Sequence, residues 1–169
     1  MKFVLSNGKY FRDKLQSFPF AKEFVSSKVL VVCIDDYDNI VGVCGIRSPF
    51  NVAVSFVRKD YRGIGVGSRQ LKLAIKAAEK RPPYFVTSTV SSENVRVFHI
   101  GNKIGFREVF TLKRTNQVLR VSTTTRMGRL AYVFFYVIGH VLPNNILSYV
   151  HWHLYNRSLK ASTVGETRT

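Results

Sequence analysis

The feature that most constrains this chain is a change of period across a run of glycines. Val52 to Val57 (VAVSFV) reads as a strand and runs through Arg58-Lys59-Asp60-Tyr61 into Arg62-Gly63-Ile64-Gly65-Val66-Gly67. From Ser68 to Lys80 the period becomes helical, with Leu71, Ala74, Ile75 and Ala78 on one face, and Pro82-Pro83 stops it. A strand delivered through glycines into a helix is an anion site. The first N–H groups of a helix have no internal acceptor, and the helix dipole adds partial positive charge. Glycine lets a phosphate approach the backbone closely. A glycine turn by itself also serves as a plain connector. The pattern lacks the G-x-G-x-x-G spacing of dinucleotide folds and the Gly-Lys-Ser/Thr ending of a P-loop.

The rest of the chain supplies an α/β setting. Met1 to Leu5 reads as a first strand with a turn at Asn7-Gly8, and residues 9 to 26 as one or two short helices. Lys28 to Ile34 and Ile40 to Ile46 are β-branched runs joined by Asp35-Asp36-Tyr37-Asp38-Asn39, a hairpin. Ser48-Pro49-Phe50-Asn51 breaks the chain, and Tyr84 to Val90 is a further strand. Ser91-Ser92-Glu93-Asn94 starts a helix that carries Val97, Ile100 and Ile104 and ends at Gly105. Phe106 to Leu112 and Gln117 to Ser122 form a last hairpin about Arg114-Thr115-Asn116. That order predicts a mixed central sheet, with parallel and antiparallel neighbours, flanked by helices.

At 169 residues and 46% hydrophobic content, one domain with one core is expected. The net charge of +16 is a cost to folding. It points to acidic partners (coenzyme A phosphates, nucleic acid or an anionic membrane surface), or else is only a basic surface. Cys33 and Cys44 sit in apolar strands as buried thiols, which implies a reducing compartment. The N-terminal apolar stretch is too short for a secretory signal, so a cytoplasmic location is expected.

Two motifs carry a family resemblance. Val57-Arg58-Lys59-Asp60-Tyr61-Arg62-Gly63-Ile64-Gly65-Val66-Gly67 resembles the GNAT acetyltransferase motif V-x-P-x-Y-R-G-x-G-I-G, whose core R/Q-x-x-G-x-G/A is met by Arg62, Gly65 and Gly67. Asn94 to Phe106 resembles the second motif, N-x-x-A-x-x-L-Y-x-K-x-G-F, through Asn94, Lys103, Gly105 and Phe106. The resemblance covers roughly residues 28 to 122 and implies a GNAT fold. It further implies an N-acetyltransferase that moves an acetyl group from acetyl-CoA, as co-substrate and without metal, to an amine of a small molecule, sugar or protein. Attack would be direct, with both reactants held in line. By position, Ser55, Phe56 and Val57 would take the pantetheine arm as an added strand would. Backbone N–H groups of Gly63, Ile64, Gly65, Val66, Gly67 and Ser68, with Arg62, would hold the pyrophosphate, and Asn94 would touch the pantetheine arm. Arg69 and Lys72 either reach the 3′-phosphate or form a solvated helix face. The Val57 N–H would stabilise the oxyanion.

The sequence departs from the pattern where protons move. The tyrosine that often protonates the leaving thiolate falls at Gly101, and a carboxylate sometimes present on the preceding strand falls at Thr89. Three explanations stand. Another residue acts, with Tyr37, Ser88, Glu93 and His99 as candidates. Or water protonates the thiolate, whose need for an acid is modest. Or the protein is a weakly active acyl-CoA-binding module that docks on nucleic acid or a membrane through its charge. His99, about 200° around the helix from Gly101, is expected to point away from the thiol. Gly101 would widen the site for a bulkier acyl chain.

The domain is expected to span 1–125, followed by an apolar helical hairpin at 126–157 and a flexible tail at 158–169. Leu130 to Leu142 is apolar on all sides but short of the roughly 20 residues a spanning helix needs. It either packs on the core or on a second subunit, as in a homodimer, or lies on a membrane surface with Tyr149, Trp152 and Tyr155 and flanking Arg126, Arg129 and Arg157. His151 and His153, two apart, are not read as metal ligands. Arg69, Lys72, Lys76 and Lys80 form a basic stripe that makes RNA a conceivable partner.

Overall fold

The computed structural model describes residues 1–6, 11–19, 21–47, 52–113, 115–149, 151 and 153. The turn residues at 7–8, the break at 48–51, Arg114, Trp152, Tyr155, Arg157 and the 158–169 tail lie outside the described residues. The elements in order are β1 (Lys2–Ser6), α1 (Arg12–Leu15), α2 (Ala21–Val25), β2 (Val29–Ile34), β3 (Ile40–Arg47) and β4 (Val52–Val57). After a 3-10 turn at Lys59–Tyr61 come α3 (Val66–Ala78), β5 (Thr87–Ser91), α4 (Val95–Lys103), β6 (Phe106–Leu112), β7 (Gln117–Ser122) and α5 (Arg126–Val141). A further helical stretch covers 144–149.

Among the described residues, seven strands form one mixed sheet in the order β1-β2-β3-β4-β5-β7-β6. Its two faces follow from the period-two alternation of β2. Val29 and Val31 point to α3, where they meet Cys44, Ile46, Ala74, Ile75 and Ala78. Leu30 and Val32 point the other way, onto Phe11, Leu15 and Phe24 from the short α1–α2 region. Every residue of β3 is buried, as expected for a central strand covered on both faces. Both cysteines are fully buried, and burial pushes the Cys44 thiol up to about 12.

Strand β4 pairs with β3 over six residues, from Gly42–Val57 to Arg47–Val52. On its other side it meets β5 in parallel at one position, Val52–Thr87, and the strands then diverge. The sheet is therefore split down its middle, and the split opens toward the start of α3.

Two element starts differ from the sequence reading by two residues or more, and the last helix differs in its burial. Helix α3 starts two residues early, because Gly65 at φ 89° makes the turn that caps it. Strand β5 starts at Thr87, three residues late, because Tyr84 at φ 63° closes a turn whose N–H donates to Arg81 O at 2.7 Å. Helix α5 is neither wrapped in protein nor long enough to span a bilayer. It packs Ala131 and Phe135 on Phe85, Val109 and Val121, while Leu130, Val133, Phe134, Val137 and Val141 stay 53–72% exposed.

Candidate active site

The split in the sheet is a cleft of about 1280 Å³, walled by β4 on one side and by β5 and α4 on the other. Its floor at one end is the turn Arg62–Ser68. Three features of this end suit it to an anion. Gly63 and Gly65 adopt φ 92° and 89°, which a side-chain-bearing residue reaches only with strain. The N–H groups of Val66, Gly67 and Ser68 start α3 and precede the first i to i−4 bond of the helix, Arg69 N–H to Gly65 O at 3.0 Å. The first turn of α3 holds no acidic residue to occupy those donors.

The turn is anchored from two sides. Tyr61 donates its hydroxyl to Asp35 Oδ2 at 3.0 Å, tying the turn to the β2–β3 hairpin. Burial acts to raise the Asp35 carboxyl, but hydrogen bonds from Asn39, Tyr61 and the Tyr37 N–H outweigh it and hold it below the usual range. Arg62 Nε donates to Val57 O at 3.0 Å, closing the end of β4.

The β4 wall presents backbone. Arg58 N–H donates to Val41 O on the β3 side at 2.9 Å. Strand alternation therefore turns the Val57 N–H and C=O toward the side where β5 has diverged. The same holds for Ser55. From α3, Gln70 Nε2 reaches into this strand pair and is shared among Val43 O (3.0 Å), Phe56 O (3.0 Å) and Ser55 Oγ (2.9 Å). Gln70 is fully buried and fixes the strand from behind. A Cβ on Gly42 would run into its amide, so that glycine leaves the room it needs.

The opposite wall presents side chains. Ser88, Thr89, Asn94, Arg96, Val97 and His99 line it. Asn94 caps α4, its Oδ1 accepting from Val97 N–H at 3.2 Å. Residues 148 and 151 reach the same cleft from the C-terminal stretch. That stretch is pinned by Asn144, whose Oδ1 accepts from Lys113 N–H at 2.9 Å and whose Nδ2 donates to Thr111 O at 2.8 Å on β6. Leu147 is buried beneath it. His151 Nε2 lies 3.1 Å from Thr89 Oγ1, and burial lowers the imidazole's basicity.

Ser55, Phe56, Val57, Arg62, Gly63, Gly65, Gly67, Ser68 and Asn94 all stand on the cleft; Ile64 is exposed, and Val66 is buried, each within the same turn. Among the proton-transfer candidates, Ser88 and His99 line the cleft. Tyr37 is 87% exposed at the hairpin tip, outside the cleft lining, and Glu93 holds Asn116 Nδ2 at 3.4 Å at the β5–α4 turn. Arg69 stacks over Phe3 of β1 at 4.7 Å and is not part of the cleft lining. Gly101 does not widen the site: a Cβ there would run into the buried Arg120 guanidinium, which also hydrogen-bonds Asn102 and covers Phe98. Sequence reasoning missed Gln70, Arg96, Arg120 and the Thr89–His151 pair. Only Gln70 carried a signal, as a polar residue in the Val66–Gln70–Ala74–Ala78 stripe.

The family model for the GNAT acetyltransferase domain matches residues 7–123. The fold is similar to that of a GNAT-family acetyltransferase from Staphylococcus aureus (TM-score 0.53, 14% identity, 71% of this chain and 98% of that one). It is also similar to a ribosomal-protein-alanine N-acetyltransferase from Brucella melitensis (0.54, 16%, 72% and 98%). A spermidine N-acetyltransferase variant from Vibrio cholerae is a third (0.51, 13%, 72% and 93%). At such identities the likeness is one of fold. No curated protein sequence matches this chain. The family match stops before α5, so Ser148 and His151 come from outside it.

Proposed function

The chain belongs to the GNAT family of acetyltransferases, and from that premise we propose that it transfers an acetyl group from acetyl-CoA to an amine by direct attack in a ternary complex. The family makes it an acyltransferase with acetyl-CoA as co-substrate. The observation that carries the finer reading is that β4 and β5 pair at one position, Val52–Thr87, and then open beside the first N–H groups of α3.

In this reading the pyrophosphate rests on the N–H groups from Gly63 to Ser68. The pantetheine arm runs along Ser55, Phe56 and Val57 as an added strand. Asn94 borders its path. The Val57 N–H, aimed into the cleft, donates to the thioester oxygen as charge develops there. The main contribution of the fold is to place amine and thioester in line. The acceptor classes remain those of the chemistry: an amine of a small molecule, a sugar or a protein. A working location in the cytoplasm fits the two free, buried cysteines. Thiol release from acetyl-CoA with a panel of amines tests the reading. Turnover with at least one amine supports it, whereas tight acetyl-CoA binding without turnover on any would make the protein a binding module.

One observation favours a second property, attachment of the C-terminal part (126–157) to an anionic membrane surface. No helix among the described residues is long and apolar enough to cross a membrane. Yet the outer face of α5 is an apolar ridge that begins at exposed Arg126 and Arg129. A chain of charge +16 is attracted to anionic lipid and repelled by its own copy. Leu130→Glu with Val137→Glu is expected to abolish co-sedimentation with phosphatidylserine vesicles. Because both sites are exposed, stability should change by less than about 0.5 kcal/mol. Binding that survives the double substitution, dimers that persist at low concentration, or RNA binding in place of lipid binding would overturn it.

A further inference from the structure

The acetyl-transfer reading leaves one chemical task without an agent. An amine acceptor is mostly protonated near neutral pH and must lose a proton before it can attack. The positions where the family resemblance would supply proton-transfer groups hold Thr89 and Gly101, and the space beside Gly101 is filled by Arg120.

Strand alternation separates the two sides of β5. Ser88 pairs with Arg120, whose guanidinium lies against α4, and Thr87 pairs with Val121, which packs on α5. Thr89 therefore faces the α5 side, as Thr87 does. That is where the C-terminal stretch crosses the cleft, held by the Asn144 bonds to Thr111 of β6 and to Lys113 just past it, and by buried Leu147. It delivers the His151 imidazole onto the Thr89 hydroxyl. Both residues line the cleft that also contains Ser55, Phe56 and Val57.

We propose that Thr89 and His151 form a proton relay that deprotonates the acceptor amine, the hydroxyl in contact with the amine and the imidazole behind it. With the proton of the neutral imidazole on Nδ1, the Thr89 hydroxyl donates to Nε2. The ammonium N–H bond breaks as a new bond forms to Thr89 Oγ1, and Oγ1 passes its own proton to Nε2. This leaves a neutral amine and an imidazolium. The amine nitrogen bonds to the acetyl carbon, the C–S bond breaks with its electron pair going to sulfur, and the nitrogen releases its second proton. The thiolate takes up one proton, and the imidazolium returns its own to water.

Burial keeps the imidazole neutral to lower pH than usual, the state the relay needs. Among the described residues, the other titratable or charged groups on the cleft are Tyr61, Arg62, Arg96 and His99, with His153 on the same stretch and none on β5.

The test compares two small acceptors in the full-length chain. Methylamine is protonated near neutral pH, and hydroxylamine is not. His151→Gln and Thr89→Val are each expected to slow thiol release with methylamine about 100-fold, the low end for general base catalysis. With hydroxylamine, once its uncatalysed attack on the thioester is subtracted, the loss should be about tenfold smaller or less, because that acceptor needs no proton removed before it attacks. The methylamine deficit should shrink as pH rises and the amine deprotonates itself. Equal losses with both acceptors, or no loss with either, would mean that the pair only pins the C-terminal stretch. A readout without turnover is ¹⁵N NMR of the imidazole in the protein alone. Nε2 should be unprotonated, with a shift that moves in Thr89→Val; a protonated Nε2 would overturn the relay. Absence of acetyl-CoA binding by the wild type in calorimetry would instead overturn the acetyl-transfer reading on which the relay rests.

Discussion

The two walls of the cleft are built by different means. The β4 wall is backbone: carbonyls and N–H groups set by strand alternation, held from behind by Gln70 and continued by the glycine turn. The β5 wall is side chain: Thr89, Asn94, Arg96 and His151, drawn from a strand, the start of a helix and a segment 62 residues downstream of Thr89. A backbone wall needs particular conformations and tolerates many side chains. A side-chain wall needs particular residues, and tertiary structure alone brings them together. A coenzyme common to a family suits the first wall, and an acceptor particular to one protein suits the second.

Substitution can break this contrast. The largest effect is expected at Gly65, where φ 89° excludes a β-branched residue although the space beside it is open. Gly65→Val should cost about 1–3 kcal/mol of strain, released by distorting the turn. Calorimetry should then show acetyl-CoA binding weakened by roughly five- to 150-fold. Unchanged affinity would show that the turn does not hold the ligand by its backbone.

Gln70→Leu comes next. It leaves Val43 O and Phe56 O without the shared amide in a buried place, at about 1–3 kcal/mol. The melting temperature should fall by several degrees at about 2–4 °C per kcal/mol, and acetyl-CoA affinity should fall with it. A loss of stability without a loss of affinity would separate strand support from ligand binding.

The smallest effect belongs to the other wall and concerns pH. Burial lowers the folded pKa of His151 below the unfolded value of about 6.5. Within the window between those values the unfolded chain binds a proton that the folded chain does not. Stability is therefore fully present above the unfolded value and declines as pH falls toward the folded one. Denaturant titrations at stepped pH should show that decline in the wild type and a shallower one in His151→Gln. Identical slopes would place the imidazole in water.

The same contrast explains what the sequence disclosed. The run Val52–Val57, the glycines and the amphipathic helix are local patterns, so β4, its turn and α3 were legible with an error of two residues at the Gly65 cap. So were the hairpins at β2–β3 and β6–β7, because β-branched runs around turn residues are local too. Gly101 misled for a tertiary reason: its missing Cβ makes room for Arg120 on β7, nineteen positions along the chain, and no local pattern couples the two. Thr89 and His151 were out of reach for the same reason. The hydrophobicity of α5 was plain, but which half of its circumference would meet β6 and β7 depended on the sheet beneath it.

The central claim is that the N–H groups between Gly63 and Ser68 receive the diphosphate of coenzyme A. Amide ¹⁵N–¹H spectra recorded during a coenzyme A titration test it directly. Saturable binding is expected, with the largest shifts at Gly63, Gly65, Val66, Gly67 and Ser68 and smaller ones along Ser55–Val57. Saturation with those amides unmoved, or no uptake by the folded protein, would contradict it.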